Sequence, residues 1–395
     1  MKSYFPGLSN EQLHALGAYH TATEISGQPQ LWLKTWLYLY NVRRELKDFL
    51  LPLYEKDHLQ IILTGAGTSA YVGDVLQGVF LKDRKVQARS VATTDIVTHP
   101  GHYFHPQQTT LLISFARSGN SPESIKAVQL ANEVCSRIFH LVITCNADGA
   151  LAKEVKGTNS FVFTLPPESN DLSLAMTGSF TSMLLSGLLI ARLEELADLK
   201  DEVRRLADYG TKILQSYFPV LHEAAQLDFD RAVFLGSGIF QGIARESHLK
   251  LQELTDGQVI CKFDTFLGFR HGPKAVITPH TLMVYLFSNR DYVQQYERDL
   301  VEAVVNGQKG ILGIGIMEHA ISGVHLDSHI ILSDDGVRLD ESLLTPAMVL
   351  PAQMIAFLKS IHLGLEPDNP SRSGTITRVV QGVKLYPFSK ESVNE

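Results

Sequence analysis

The stretch Leu111–Ser124, LLISFARSGNSPES, passes from an apolar run into a loop of small polar residues. The apolar run predicts a buried strand, and a helical apolar rhythm begins just after the loop. Ser121 is a good N-cap and Pro122 suits the first helical position, so a helix is expected to begin there. Backbone N–H groups, hydroxyls, the charge of Arg117 and a positive helix end would favour an anion. An ordinary strand-to-helix turn explains the same pattern.

Strands alternate with predicted helices on both sides of this stretch, which indicates mostly parallel sheets covered on both faces. AVFLGSG at Ala232–Gly238 repeats IILTGAG at Ile61–Gly67, and Gly236 stands 171 residues after Gly65. Two copies of one α/β sandwich explain this repeat most simply. In the first copy the strands are expected at Ile61–Leu63, Val86–Val91, Thr109–Phe115, Phe139–Thr144 and Phe161–Leu165.

Three segments follow from this pattern: a helical segment at residues 1–55, a first α/β domain at 56–210 and a second with a C-terminal tail at 211–395. Trp32 and Trp36 belong to an aromatic stripe of the first segment, which we interpret as a lid or interface helix. A long helical region is predicted over Ala175–Tyr209.

Charge and composition exclude several classes of protein. The chain has 395 residues, of which 45% are hydrophobic and 19% charged, as in a globular protein. With 35 basic and 42 acidic residues the net charge is −7, and no basic run is present, so neither nucleic acid nor a membrane surface is an expected partner.

The expected location is the cytoplasm. The three cysteines have neither metal nor disulfide spacing, which fits a reducing compartment. The N-terminus lacks the apolar core of a signal peptide. The apolar stretches Met183–Ala191 and Ala347–Leu358 are predicted to be too short to span a membrane.

A second loop resembles the first in chemistry. Gly65–Ser69 ends a predicted strand and offers the hydroxyls of Thr68 and Ser69 at a helix start, with glycines that let a ligand approach the backbone. It lacks the glycine patterns of dinucleotide and P-loop sites. Because ligands bind at the carboxyl ends of parallel strands, both loops are expected to face one crevice.

The second copy differs at both loops. It has Ser288–Asp291 in place of Arg117–Ser121, and Ile239 and Phe240 in place of the two hydroxyls of the other loop. We therefore expect one phosphate site for each chain, in the first copy.

Two further stretches contain acid–base candidates. Glu246 and Glu253 lie seven residues apart, on one face of a predicted helix with Leu249 between them. They could include a general base, although their spacing alone favours two solvated glutamates. His271 lies in the turn Arg270–Pro273, where proton transfer and a backbone-bonding role are equally good interpretations.

Metal and triad chemistry are not predicted. His99, His102 and His105 are spaced for zinc, but proline and glycine interrupt the helical face and no cysteine or carboxylate accompanies them. No GxSxG elbow is present, so a serine hydrolase is a poor fit. We predict no metal and no cofactor.

Taken together, these stretches resemble the tandem sugar isomerase (SIS) domain family, over roughly Ile61 to Val380. The resemblance is strongest to bacterial galactosamine-6-phosphate deaminase/isomerases, also labelled tagatose-6-phosphate ketose/aldose isomerases. It implies two tandem α/β domains, each with a mostly parallel five-stranded sheet in an αβα sandwich. It also implies a phosphorylated amino sugar or ketose as ligand and a homodimer or dimer of dimers.

The same resemblance implies roles for named residues. The phosphosugar would be held by Gly67, Thr68, Ser69, Ser118 and Ser121, with Arg117 nearby. Glu253 would move a proton between C1 and C2, Glu246 would support it, and His271 from a partner chain would open the sugar ring. Asp171 lies in the stretch Asn170–Met176, which closes over the sugar in this family.

Two departures separate the chain from the related synthases. Ala116 replaces a serine, and Asn369–Arg378 has no lysine where the synthases have one, so that Arg372 is the nearest cation. The expected activity is conversion of galactosamine 6-phosphate to tagatose 6-phosphate and ammonia. The alternatives are a plain tagatose-6-phosphate isomerase, a glucosamine-6-phosphate deaminase and a non-catalytic phosphosugar-sensing regulator.

Overall fold

The computed structural model describes residues 5–380 and 382–388. The chain forms two compact units, and neither is contiguous in sequence. Among the described residues, unit 1 comprises 5–30, 171–177 and 201–375, and unit 2 comprises 31–170, 178–200, 376–380 and 382–388. The domain boundaries read from the sequence remain predictions.

Strands and helices alternate through most of both units. The strands are β1 Gln60–Gly65, β2 Ala88–Ala92, β3 Thr109–Ala116, β4 Arg137–Thr144, β5 Ser160–Thr164, β6 Arg231–Gly236, β7 Ile260–Asp264, β8 Thr281–Leu286, β9 Leu312–Met317 and β10 Ser328–Ile331. The helices are α1 Asn10–Ala15, α2 Tyr19–Asn41, α3 Arg43–Tyr54, α4 Thr68–Arg84, α5 Thr93–Thr98, α6 Pro122–Val134, α7 Ala150–Glu154, α8 Gly178–Ala191, α9 Lys200–Ser216, α10 Phe218–Gln226, α11 Phe240–Leu254, α12 Phe266–Phe269, α13 Asp291–Val305 and α14 Glu341–His362.

Each unit contains one five-stranded parallel sheet. Unit 2 has the order β2-β1-β3-β4-β5 and unit 1 the order β10-β9-β8-β6-β7, which is the same topology read in the opposite direction. In unit 2, Ile61 lies opposite both Ala88 and Leu111. The prediction of two tandem α/β sandwiches with an N-terminal helical segment is confirmed.

The central strands are buried on both faces, as parallel sheets require. Every residue of β1, β3 and β8 is buried. Around β3, Leu112 and Val142 join Val128 and Ala131 of α6 in one apolar cluster of unit 2. Because the strands of each sheet are parallel, their carboxyl ends and the loops that follow them lie at one edge.

The predicted helical region over Ala175–Tyr209 is wrong in detail. Helix α8 is buried at every residue and ends at Ala191, whereas α9 begins at Lys200 and buries only one stripe. Arg192 leaves the helical conformation between them and its guanidinium bonds to Glu195. A fully buried helix and an amphipathic one therefore replace a single long helix.

The aromatic stripe of α2 is not a lid, because it packs inside unit 2. Trp32 is fully buried and its Nε1 donates to Thr181 Oγ1 at 3.0 Å. The Nε1 of Trp36 donates to the carbonyl of Leu196 at 2.9 Å. Both indoles thus have the buried hydrogen-bond partners that core tryptophans need.

Helix α14 corrects the expectation that no apolar stretch is long enough to span a membrane. It runs for 22 residues through Pro346 and Pro351. By length and composition it is the one helix among the described residues that could cross a membrane, but 94% of its most apolar window is buried inside the protein. That burial is typical of a core helix.

Candidate active site

The first candidate loop joins β1 to α4 in unit 2. A Cβ on Gly65 would lie 2.5 Å from the backbone carbon of Ser69, so only glycine allows the helix start to approach the strand this closely. Gly67 has φ of +55°, a conformation that also favours glycine. These two glycines place Thr68 and Ser69 in the first turn of α4.

The second loop, Ser118–Ser121, joins β3 to α6 in the same unit. Helix α6 begins at Pro122 with Ser121 as the N-cap residue, which confirms the predicted start. The Ser121 hydroxyl makes no capping hydrogen bond to the helix, and Ser118 Oγ accepts only a long bond from the N–H of Asn120, at 3.2 Å. Both hydroxyls thus lie beside the positive end of a helix dipole.

The chain after β4 holds this second loop in shape. Asn146 Nδ2 donates to the carbonyl of Ser118 at 3.0 Å, and the N–H of Leu151 donates to the carbonyl of Gly119 at 2.8 Å. Gly119 has φ of +66°. Because β1 and β3 are parallel neighbours, their two loops share one edge of the sheet. We call their hydroxyls and helix N-termini the anion cradle, because such groups can hold an anion.

Arg117 does not extend into this cradle as an unpaired charge. Its guanidinium is buried and donates to the carbonyl of Arg378 at 2.6 Å. The Arg378 side chain in turn donates to Asn170 Oδ1 at 3.0 Å, all within unit 2. Arg378 is therefore the C-terminal residue whose backbone contacts Arg117 in unit 2. Arg372, named from the sequence as the nearest cation, instead donates to the carbonyl of Gly364 in unit 1.

Helix α11 of unit 1 contains a buried ionic triad, Glu246–Lys250–Glu253. Lys250 Nζ lies 2.5 Å from Glu253 Oε2 and 3.4 Å from Glu246 Oε1. Lys250 and Glu246 are fully buried, whereas 23% of the Glu253 side chain remains exposed. Glu246 is buried and both glutamates pair with Lys250, so the interpretation as two solvated glutamates is wrong.

Lys250 was not among the residues predicted from the sequence, where Leu249 was placed between the two glutamates. The signal was available, because a lysine four residues after Glu246 and three before Glu253 lies on their shared helix face. Chemically, the triad leaves one carboxylate partly open to a ligand and holds it by a cation. Such an arrangement suits the general base expected from the sequence.

His271 lies at the surface of unit 1. The side chain of Thr265 caps α12 by accepting from the N–H of Gly268 at 2.9 Å, and the N–H of His271 donates to the carbonyl of Gly268 at 3.2 Å. The backbone of the turn is thereby fixed while the imidazole remains exposed. Asp171 also belongs to unit 1, where its Oδ2 accepts from the N–H of Thr177 at 2.8 Å.

The histidine run forms no metal centre in the described part of the chain, which contains no group of three or more metal-ligating side chains. The rings of His99 and His102 stack with centroids 5.0 Å apart. His105 Nδ1 accepts from the N–H of Gln107 instead.

Comparison with known proteins agrees with the fold. The SIS domain family matches residues 53–193, so the fold is that of SIS-domain proteins. The D-galactosamine-6-phosphate deaminase AgaS of Shewanella sp. (strain ANA-3) is 40% identical over 389 residues, which cover 97% of this chain and 96% of that protein. The chain therefore belongs to the family of SIS-domain proteins that includes AgaS.

Solved structures support the same assignment. The tagatose-6-phosphate ketose/aldose isomerase from Escherichia coli superposes with a TM-score of 0.86 at 36% identity, over 93% of this chain and 96% of that one. A crystal structure from Clostridium novyi NT superposes with a TM-score of 0.95 at 40% identity, over 98% of this chain and all of the other.

Proposed function

We propose that this protein is an isomerising deaminase that converts D-galactosamine 6-phosphate to D-tagatose 6-phosphate and ammonia. The observation that carries the proposal is the buried triad of α11, in which Lys250 holds the partly exposed Glu253. A relative named for this activity shares 40% of its residues over nearly the whole length.

The anion cradle would bind the phosphate. The hydroxyls of Thr68, Ser69, Ser118 and Ser121 and the N–H groups of two helix starts are suited to phosphate oxygens. Gly67 lets the ligand approach the backbone, and nothing lies within 4 Å of the Cβ position at this glycine. Arg117 would fix the loop through the C-terminal segment rather than neutralise the phosphate directly.

Proton transfer would use Glu253. Once the ring is open, Glu253 takes the proton from C2 of the aldehyde, giving an enaminol, and returns it to C1. The product is a C2 imine with a hydroxymethyl group at C1. Water then adds to C2 and ammonia leaves, which gives the ketose.

The remaining roles follow the family. His271, contributed by the partner chain of a dimer or dimer of dimers, would open the ring by acid–base catalysis. Glu246 and Lys250 would orient Glu253, and Asp171 would belong to the loop over the sugar. The steps assigned to these residues need no metal or redox cofactor, and we expect the enzyme to work in the cytoplasm.

The test is ammonia release from galactosamine 6-phosphate, with glucosamine 6-phosphate measured beside it. Glu253→Gln should lower kcat by about a hundredfold or more while substrate binding is retained, since it removes only the base. Gln252→Ala, an exposed neighbour on the same helix, is the matched control and should match the wild type.

Two results would contradict this assignment: a folded wild-type protein that releases no ammonia from either sugar, or a fully active Glu253→Gln variant. The E. coli isomerase that superposes on the chain favours a second candidate, isomerisation of tagatose 6-phosphate without ammonia. Substrate binding without any turnover would indicate the sensing regulator instead.

A further inference from the structure

Residues 171–177 form a short loop between two segments of unit 2. They pack with unit 1, whereas the residues before and after them pack with unit 2. The segment has internal bonds, including the bond from the N–H of Thr177 to Asp171 and one from Ser173 Oγ to the carbonyl of Ala175 at 3.1 Å. Seven residues cannot fold alone, so the position of this loop depends on what holds it.

Glu24 of α2 is the principal holder. Its Oε1 accepts from the N–H of Leu172 at 2.6 Å and from the N–H of Ser173 at 3.2 Å. Its Oε2 accepts from the hydroxyl of Ser173. One side chain thus satisfies three donors of the loop from 148 and 149 positions away in sequence.

The electrostatic setting of Glu24 shows that its placement is costly. Burial, followed by the nearby charge of Asp171, raises the pKa of Glu24 to about 7. A carboxylate with those neighbours is tolerated where hydrogen bonds offset the desolvation, and the three bonds from the loop do so here.

Asp368 ties the first turn of the same helix to the same loop. Its carboxylate caps α2 by accepting from the N–H of His20 at 3.0 Å and from the N–H and hydroxyl of Thr21, each at 2.7 Å. Its own carbonyl accepts from the N–H of Leu174 at 2.9 Å. Because α2 is anchored in this way, Glu24 is a fixed point and not a mobile surface side chain.

We infer that Glu24 is the positioning residue of the loop 171–177: its carboxylate sets the loop backbone in the conformation that receives the phosphosugar. The inference rests on the proposed function, which gives this loop its contact with substrate. Glu24 touches no reacting atom in this scheme and acts only through Leu172 and Ser173.

The experiment compares Glu24→Ala with Glu24→Gln in the full chain. The glutamine oxygen can still accept from both N–H groups, and its NH₂ can donate to the Ser173 hydroxyl. Ser26→Ala is the matched control, since Ser26 lies on the same helix and its hydroxyl bonds only to the carbonyl of Thr23 within that helix. Hydrogen exchange of the peptide 170–178 and steady-state kinetics on galactosamine 6-phosphate are measured for all three.

Glu24→Ala should speed hydrogen exchange of this peptide about tenfold and raise KM about tenfold. Both changes reflect the loss of the hydrogen bonds that Glu24 makes to the loop. Glu24→Gln should restore both to within about threefold of the wild type, and Ser26→Ala should change neither. A merely structural residue would lower the melting temperature without changing the KM of the folded enzyme.

Unchanged exchange at 170–178 in Glu24→Ala, or an unchanged KM, would overturn the inference. If the wild type does not turn over amino-sugar phosphates, the proposed function fails, and the exchange measurement still decides whether Glu24 holds the loop. Should Glu24→Ala not fold, Glu24→Asp is used instead, because its shorter side chain cannot reach both N–H groups.

Discussion

The loops after β3 and β8 are the same structure used in two ways. Ser118 Oγ accepts from the N–H of Asn120 at 3.2 Å, and Ser288 Oγ accepts from the N–H of Arg290 at 3.1 Å. Each loop leaves the third strand of its sheet and ends at the start of a helix. The two loops thus share even one local hydrogen bond, in which a serine hydroxyl accepts from the N–H two residues further on.

The chemistry of the two loops is opposite. In unit 1, protein carboxylates take the donors of the loop: Glu297 accepts from the N–H of Ser288 at 3.0 Å, and Glu341 accepts from its hydroxyl. Asn289 donates to Glu318 at 2.7 Å. Within residues 5–380 and 382–388, no carboxylate bonds to Ser118–Ser121. Side chains of the protein thus occupy the donors of the loop after β8, whereas the loop after β3 is the one that we propose binds phosphate.

The loops after β1 and β6 show the same division. Cβ atoms on Gly65 and Gly236 would lie 2.5 and 2.3 Å from the following helix backbone, and Gly67 and Gly238 share a positive φ. The hydroxyls of the first copy are replaced by apolar side chains in the second, where Phe240 is fully buried. A repeated backbone predicts a repeated fold but not a repeated site.

The largest expected effect comes from replacing Glu297, which accepts from the loop after β8. Burial, with a contribution from the charge of Glu341, raises the pKa of this carboxyl to about 8, against an ordinary value of 4.5. The folded state keeps its proton up to about pH 8 while the unfolded state loses it near 4.5, so this group lowers stability as pH rises between those values. Glu297→Gln has no proton to lose at this position, so its stability should not fall in this way as pH rises.

Urea unfolding at several pH values measures the difference in the free energy of unfolding between the wild type and Glu297→Gln. The variant should be more stable by under about 1 kcal/mol at pH 5 and by on the order of 4 kcal/mol at pH 8. A gap that stays constant from pH 5 to 8 would mean that Glu297 is ionised in the folded protein, and that the loop holds a full negative charge.

A serine pair sharpens the comparison at intermediate magnitude. Ser118→Ala should raise KM for galactosamine 6-phosphate about tenfold, because it removes one hydroxyl from the proposed cradle. Ser288→Ala should leave KM unchanged and lower the free energy of unfolding by about 1–2 kcal/mol, because Glu341 loses its hydroxyl partner. Kinetics and urea unfolding on both variants separate the two loops; an equal change in KM would contradict the assignment of one site per chain.

Local sequence signals predicted most of the fold. The alternation of apolar runs and turn residues placed the five strands of the first copy within a few residues, and Ser121 and Pro122 marked the start of α6 correctly. These features depend on neighbours in sequence, namely strand burial, capping chemistry and the backbone freedom of glycine. The repeat at Gly65 and Gly236 indicated the second domain for the same reason.

The side-chain partners of the site were less predictable. Lys250 lies within one helix turn of both glutamates and was missed although its spacing was visible. Arg378 and Glu24 could not be found this way, because they meet their partners 261 and about 148 residues away. Such contacts depend on the tertiary path of the chain, which periodicity does not encode.

The smallest expected effect comes from replacing Arg290, a cation in the loop after β8. Its Nε lies 2.7 Å from Glu341 Oε2, but 53% of its side chain is exposed, so solvent screens the pair. Arg290→Ala should lower the free energy of unfolding by less than about 1 kcal/mol, and 0.5 M salt should reduce that difference further. KM should not change, because the charge of Arg290 is already paired with Glu341. A several-fold rise in KM would show instead that the second loop takes part in binding the phosphosugar, and the contrast between the two copies would then fail.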